Sequence, residues 1–316
     1  MPGVRMGIKK ENRGILSKSL SNGKGVDKRI MTELDANKKA EELLKGAYDL
    51  HVHSSPSVFP RELDGFQLVR EADAAGMAGV MLKSHYESTA LRAELINRYS
   101  DCKAKAYGGL CLNWPAGGLN VYAVKNALRA GAKIVWMPTR DAKNSLVFGN
   151  MEGDFFDRRG ITILEQDGTL KECVYDIMDA IKEKDAFLAT GHISPEESLI
   201  LCREGRKRGV NMILTHPEFP RTRIGRGEAE LAKLGVVIEK NWFNLAQKSV
   251  APEEMAETIR TVGSGHVYLA TDRGQKGAST PVSELKRFIA VMLTCGISEA
   301  QIRDMVQKVP EEVVCR

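Results

Sequence analysis

Eight short apolar runs, each ending in a polar residue suited to binding or chemistry, constrain this chain more than any other feature. Residues 47–50 run into His51-Val52-His53, and 79–82 into Lys83, with His85 two residues on. Residues 106–112 run into Asn113, 133–137 into Pro138-Thr139-Arg140, and 186–191 into His192. Residues 211–215 run into His216, 235–238 into Glu239-Lys240-Asn241, and 266–271 into Asp272. Short, continuously apolar runs are what strands buried on both faces of a parallel sheet require.

Helical patterns lie between them. Residues 64–75 carry Phe66, Val69 and Ala72 at helical spacing and stop at Gly76; 89–99 and 121–130 repeat the pattern. Ser194 is placed to cap a helix that Pro195 opens and that runs to Gly209; Pro252 opens another that stops near Gly263. Strand followed by helix, eight times in about 250 residues, predicts a (β/α)8 TIM barrel, regular or distorted. An open doubly wound sheet is the alternative, but it would spread the polar strand ends along a line, whereas a barrel gathers them into one ring. Residues 32–45 read as an amphipathic helical extension leading into the first strand and capping the barrel's bottom.

Composition sets the bounds. The 316 residues, 43% hydrophobic and 28% charged, suit a folded domain with a large core, assigned to residues 31–316. No apolar run approaches the ~18–20 residues that span a bilayer. The cysteines at 102, 111, 173, 202, 295 and 315 are scattered without a Cys-x-x-Cys pair, which points to reduced thiols and a cytoplasmic protein. Much of the net charge of +5 comes from residues 1–30, a polar, basic stretch without periodicity that is expected to be a flexible arm. It lacks the apolar core of a secretory signal, and nucleic-acid binding is not expected of it. The expected partners are a small-molecule substrate and further copies of the chain.

Alternation along a strand puts His51 and His53 on one face, an economical start to a metal site. With Lys83, His192, His216 and Asp272 at later strand ends, the motifs Asp49-Leu50-His51-Val52-His53, Thr190-Gly191-His192, Leu214-Thr215-His216-Pro217 and Leu269-Ala270-Thr271-Asp272 follow in strand order. In this the chain resembles the amidohydrolase superfamily of metal-dependent hydrolases over about residues 47–310, and within it a poorly characterised amidohydrolase-like group. The resemblance implies that His51, His53 and Asp272 hold a first divalent metal. His192 and His216 would hold a second, or one of them would complete a single-ion site. Zinc is the expected ion, with manganese, iron or nickel as alternatives. A bound metal lowers the pKa of its water to roughly 7, and Asp272 is the catalytic candidate that takes the proton.

Lys83 has three readings: a carbamate bridge between two ions, a contact to a substrate anion, or a structural lysine. His85 faces the same way as Lys83 and is a candidate ligand or substrate contact. Arg221, Arg223 and Arg226 follow the strand that ends in His216, Arg140 follows the fourth strand, and their forks suit an anionic group on an amide, ester or lactone substrate. Residues 161–170 read as a hairpin about Asp167-Gly168, a candidate lid. A phosphoesterase of the polymerase-and-histidinol-phosphatase type also begins with His-x-His, but its closing Asp-x-His is replaced here by Asp272-Arg273-Gly274. A decarboxylase or isomerase on the same scaffold, and a non-catalytic metal- or ligand-binding barrel, stay open.

Overall fold

The computed structural model describes residues 32–149 and 158–316. The arm expected at residues 1–30 lies outside the described residues. Eight strands pair in sequence order, all parallel: β1 (Tyr48–Val52), β2 (Gly79–Leu82), β3 (Lys105–Cys111), β4 (Ile134–Trp136), β5 (Phe187–Ala189), β6 (Asn211–Leu214), β7 (Val237–Asn241) and β8 (Val267–Ala270). The ring closes at the C-terminal end of β1 and β8, where Val52 bridges Arg273 and the His53 N–H donates to the Arg273 carbonyl at 2.8 Å. Below that junction the Asp49 carboxylate bonds the Thr271 N–H at 3.0 Å and its hydroxyl at 2.6 Å, so a side chain ties the first strand to the last. This is the TIM barrel that the eight runs predict.

Helix α1 (Glu33–Leu43) precedes the barrel. Around it lie α2 (Gly65–Ala74), α3 (Ala90–Tyr99), α4 (Val121–Arg129), α5 (Lys143–Phe148), α6 (Glu172–Glu183), α7 (Pro195–Lys207), α8 (Gly227–Lys233), α9 (Trp242–Ala246), α10 (Pro252–Val262) and α11 (Pro281–Thr294). The chain closes with α12 (Glu299–Arg303) and α13 (Val309–Val314). Ser194 caps α7 in a reciprocal box with Glu197, and Asp64 does the same for α2 with Gln67, so local chemistry fixes where both begin.

Side chains alternate strictly across the strands. Met81, Ile134, Trp136, Phe187, Ala189, Ile213, Tyr268 and Ala270 fill the interior. Their neighbours Val80, Leu82, Val135, Leu188, Met212, Leu214, Val267 and Leu269 pack outward under the helices. Strand β1 breaks the rule. Tyr48 and Leu50 belong to the interior and Val52 to the outer layer, while the register with β2 shifts between Asp49 and Val52. That shift changes parity, so His51 follows Leu50 inward instead of turning out to the helices, and His53 joins it.

The bottom of the barrel is filled by Val309, Val313 and Val314 of α13, packed with Tyr48, Phe187 and Tyr268. Helix α1 does not cap it, as the sequence suggested; it buries Ala36, Ala40 and Leu43 and packs along α11 in the outer layer. The hairpin at residues 161–170 forms, with Leu164 bridging Leu170 and Gly168 at φ 85°. Instead of standing free as a lid, it is pinned by the Thr162 hydroxyl and the Ile163 N–H, which donate to Glu197 at the start of α7 at 2.5 and 3.0 Å.

Candidate metal centre

The C-terminal ends of the strands bring His51, His53, Lys83, His85, His192, His216 and Asp272 together. His51 and His53 have ring centroids 5.4 Å apart, His53 and His85 5.0 Å, His192 and His216 5.0 Å, and His51 and His216 5.9 Å. His51, His53 and Asp272 each present one ligand atom, all within 4.8 Å of one another. All of these side chains except those of His85 and Asp272 belong to residues that are buried.

Hydrogen bonds settle which ring atoms face the centre. Nδ1 of His51 lies 2.9 Å from Oε1 of Glu239, and Nδ1 of His53 lies 2.9 Å from the Lys83 carbonyl oxygen. A carbonyl or carboxylate can only accept, so both Nδ1 atoms carry the proton. Both Nε2 atoms then point at Oδ1 of Asp272, at 3.2 Å from His51 and 3.1 Å from His53. Burial holds His53 down at about 3, with the positive charge of Arg61 adding to the effect, so its Nε2 is a bare lone pair facing an acceptor oxygen. Two acceptors facing each other at this distance are satisfied by a cation between them. The residues present therefore fit a divalent ion.

The remaining rings are in ligating form as well. Burial pushes His216 down to about 4 and holds His192 and His85 well below the usual imidazole range. His51 differs. Burial pulls it down, but Asp272 and Glu239 on either side outweigh that and raise it to about 9. Asp272 is held well below the carboxylate range: burial raises it, and His51 and His53 more than reverse this.

Two buried polar atoms at the centre have no hydrogen-bond partner among the described residues: Nζ of Lys83 and Nδ1 of His192. The Lys83 ammonium lies 5.5 Å from the centre of the Trp136 ring, and its charge lowers all five imidazoles. Backbone strain collects at the same place. Asp272 and His216 have φ of 52° and 28°, a region non-glycine residues seldom enter and one that clusters at functional sites. Gly274 sits so close that an added Cβ would lie 1.8 Å from the His53 carbonyl oxygen.

Sequence reasoning did not assign a role to Glu239. It lies inside β7 next to Lys240, and alternation sends one inward and the other outward. Glu239 orients His51 and accepts the Tyr268 hydroxyl at 2.5 Å, the carboxylate–histidine arrangement that fixes a ligand's tautomer. Counting inward parity along the β7 run was the signal available for it. Asn113 is a second such residue: it accepts the Thr139 and Asp141 N–H groups at 2.9 and 3.0 Å and donates to the His85 carbonyl at 2.7 Å, joining the ends of β3 and β4.

The four arginines singled out by sequence part company. Arg140 lies over Phe59 at 4.5 Å, and Arg221, 6% exposed, lies 4.9 Å from both Phe148 and Phe219. Phe219 in turn contacts His216 and His192, at 5.1 and 5.8 Å. Arg223 instead donates to the carbonyl oxygens of Glu218 and Ser249. With Arg226 it lines a separate cavity of about 510 Å³ whose walls, shared with Glu228 and Glu254, contain none of the histidines.

Residues 46–239 match a family described as "Family of unknown function (DUF6282)". The chain belongs to DUF6282. No curated protein matches it. Among solved structures, this DUF6282 member is similar to an amidohydrolase from Pseudomonas aeruginosa, at 14% identity over 89% of this chain and 99% of that one, with a TM-score of 0.62. It is also similar to a probable dipeptidase from Pseudomonas aeruginosa, at 12% identity over 89% and 99%, with a TM-score of 0.61. A protein from Pseudomonas putida described as a "Putative 2-Pyrone-4,6-Dicarboxylic Acid Hydrolase" gives a TM-score of 0.56 at 12% identity over 85% and 97%. The resemblance to the amidohydrolase superfamily is thus borne out at the level of fold, which this DUF6282 chain shares with these hydrolases along nearly their whole lengths. Among the described residues no helix is long and apolar enough to cross a membrane.

Proposed function

We propose that this protein is a metal-dependent hydrolase acting on a small amide, ester or lactone. The observation that carries the reading is the convergence of His51 Nε2, His53 Nε2 and Asp272 Oδ1 on one point, with each Nδ1 already committed as a donor. Those three residues would hold the ion, zinc being the expected one. His192 and His216 would complete its shell or hold a second. Lys83 stands beside them as a carbamate bridge or an anion contact. The ion's contribution when bound is Lewis acidity, which makes hydroxide available near neutral pH.

The chain's own residues do the rest. Asp272 is the partly exposed member of the trio, its side chain 16% accessible, and only Oδ1 is taken up by the histidines. Its Oδ2 can hold the proton taken from water and deliver it to the leaving group. Glu239 keeps the His51 ring fixed while this happens. Burial of the imidazoles excludes bulk water, so charge placed there is poorly screened.

Because the ion must displace the proton from His51, its binding is pH-dependent. His51 is raised to about 9, so protonation competes with the ion below that pH. Apparent zinc affinity is expected to rise about tenfold per pH unit between pH 6 and 8.5 and to level off above about 9. Equilibrium dialysis across that range checks it, and a flat profile below pH 8 would show that free His51 is already neutral there.

Turnover itself tests the reaction class. Zinc- or manganese-loaded protein should hydrolyse members of a panel of N-acyl amides, esters and lactones. Asp272→Asn keeps the shape but cannot take the proton, so turnover should fall at least ~100-fold at matched metal occupancy. Stoichiometric metal with no turnover across the panel would overturn the hydrolase reading, and phosphate release from monoesters in its place would make the protein a phosphoesterase.

A further inference from the structure

Outside the ring of histidines, the charges around Lys240 do not balance. Its Nζ donates to Oε1 of Glu218 and to Oε2 of Glu228, so one amine serves two carboxylates. Both acids are buried, at 6% and 4% exposure. Oε2 of Glu218 has no hydrogen-bond partner among the described residues. A buried carboxylate oxygen without a donor is destabilising until something supplies one. Burial lifts Glu228 to about 7; Lys240 pulls it down, and the charge of Glu218 adds to the rise.

These two glutamates line the cavity of about 510 Å³ enclosed by α8, α10 and the loop after β6. That size suits a small molecule. Pro217 and Val262 are buried alongside the two acids, whereas Arg223, Arg226, Glu254 and Glu257 form an exposed rim. The rim does not supply the missing cation. Arg223 donates to the carbonyl oxygens of Glu218 and Ser249, and Glu257 is paired with Arg260 at 3.0 Å. Neither Arg223 nor Arg226 is among the charges that act on Glu228. Nor is the cavity built for a bare metal ion: among the described residues, only His51, His53 and Asp272 form a group spaced to hold one.

We propose that this cavity binds an organic ammonium ion, its charged head donating to Oε2 of Glu218 and to Glu228, and its hydrocarbon part lying on Pro217, Ala229 and Val262. The head acts as a second amine, so that two carboxylates meet two cations, and its N–H groups satisfy the orphaned oxygen. No histidine lines the cavity, so the ion is bound there and not turned over. The site therefore stands apart from the hydrolase reading and does not depend on it.

Calorimetry at pH 7 tests this with two probe pairs matched in shape: butylammonium against 1-butanol, and cyclohexylammonium against cyclohexanol. At least one ammonium ion should bind saturably and at least about tenfold more tightly than its alcohol, the size expected for a charge-assisted contact. Glu218→Gln and Glu228→Gln should each weaken that ion at least about tenfold. A melt on each sample shows which variants are folded, and either one decides. Glu257→Gln, on the exposed rim, should change the affinity by less than about threefold. The His51→Ala/His53→Ala protein should bind the ion as the unaltered protein does; binding lost there would put the amine at the metal centre and overturn the proposal. So would equal affinity for ammonium and alcohol, no saturable binding of either ammonium ion, an undiminished affinity in a folded Glu218→Gln or Glu228→Gln protein, or a loss in Glu257→Gln as large as theirs.

Discussion

Protein carrying His51→Ala and His53→Ala together is expected to lose its bound metal almost completely, and its turnover with it, while still melting cooperatively. Two of the three converging ligand atoms are removed, leaving Asp272 as the one remaining member of that trio. The carbonyl of Lys83 and Oε1 of Glu239 also lose their imidazole donors, which costs some stability. The fold survives because it rests elsewhere: on the interior stack of Trp136, Phe187, Ile213 and Tyr268, and on the outer layer beneath the helices. Metal per chain by elemental analysis and a thermal melt on the same sample decide the matter. Metal retained at one ion per chain would move the site away from the first strand; a lost transition would show that the histidines are structural.

Lys240→Met should destabilise the protein by about 3–5 kcal/mol, the usual cost of leaving the partners of a buried charge uncompensated. Lys240 is fully buried and pairs with both Glu218 and Glu228. Burial raises Glu228, against the pull of Lys240, so its charge is tolerated largely through the lysine. With the amine gone, two carboxylates remain in a low-dielectric layer. A urea unfolding midpoint at pH 7 reads the loss. Adding Glu218→Gln and Glu228→Gln should restore most of it, and the defect should shrink at pH 5, where the stranded carboxylates can take up protons. A midpoint unchanged by Lys240→Met would mean that water already reaches the cluster. The consequence reaches the centre too, because Glu218 begins the loop that carries Phe219 and Arg221.

The barrel was legible because eight buried strands leave eight apolar runs, and alternation then carries polar ends to one rim. His51, His53 and Asp272 could be picked out for the same reason: each ends a run, and the order of runs is the order of strands. Glu239 was hidden because a Glu-Lys pair reads as a solvated strand end, when one residue holds His51 and the other is buried among glutamates. The register shift in β1 left no mark in composition, yet without it His51 would face the helices. The arginines misled by proximity in sequence. Arg221, Arg223 and Arg226 lie within six residues, but irregular backbone sends Arg221 to the aromatic wall and the other two to a different cavity. Arg61 and Arg140, far apart in sequence, share one ring.

The plug formed by Val309, Val313 and Val314 bears on how the chain is made. Tyr48 in the first strand meets Tyr107 of β3 at 6.3 Å, but the lower end of the interior is filled only when Val309, Val313 and Val314 arrive. During synthesis, the strands emerge from the ribosome in order, but the interior they enclose stays open at one end until α13 has emerged. Partial chains therefore present a wet, incomplete cavity, and commitment to the native state comes after translation has passed residue 309, through contacts of long sequence separation that form slowly. A barrel built this way is assembled in order but secured all at once.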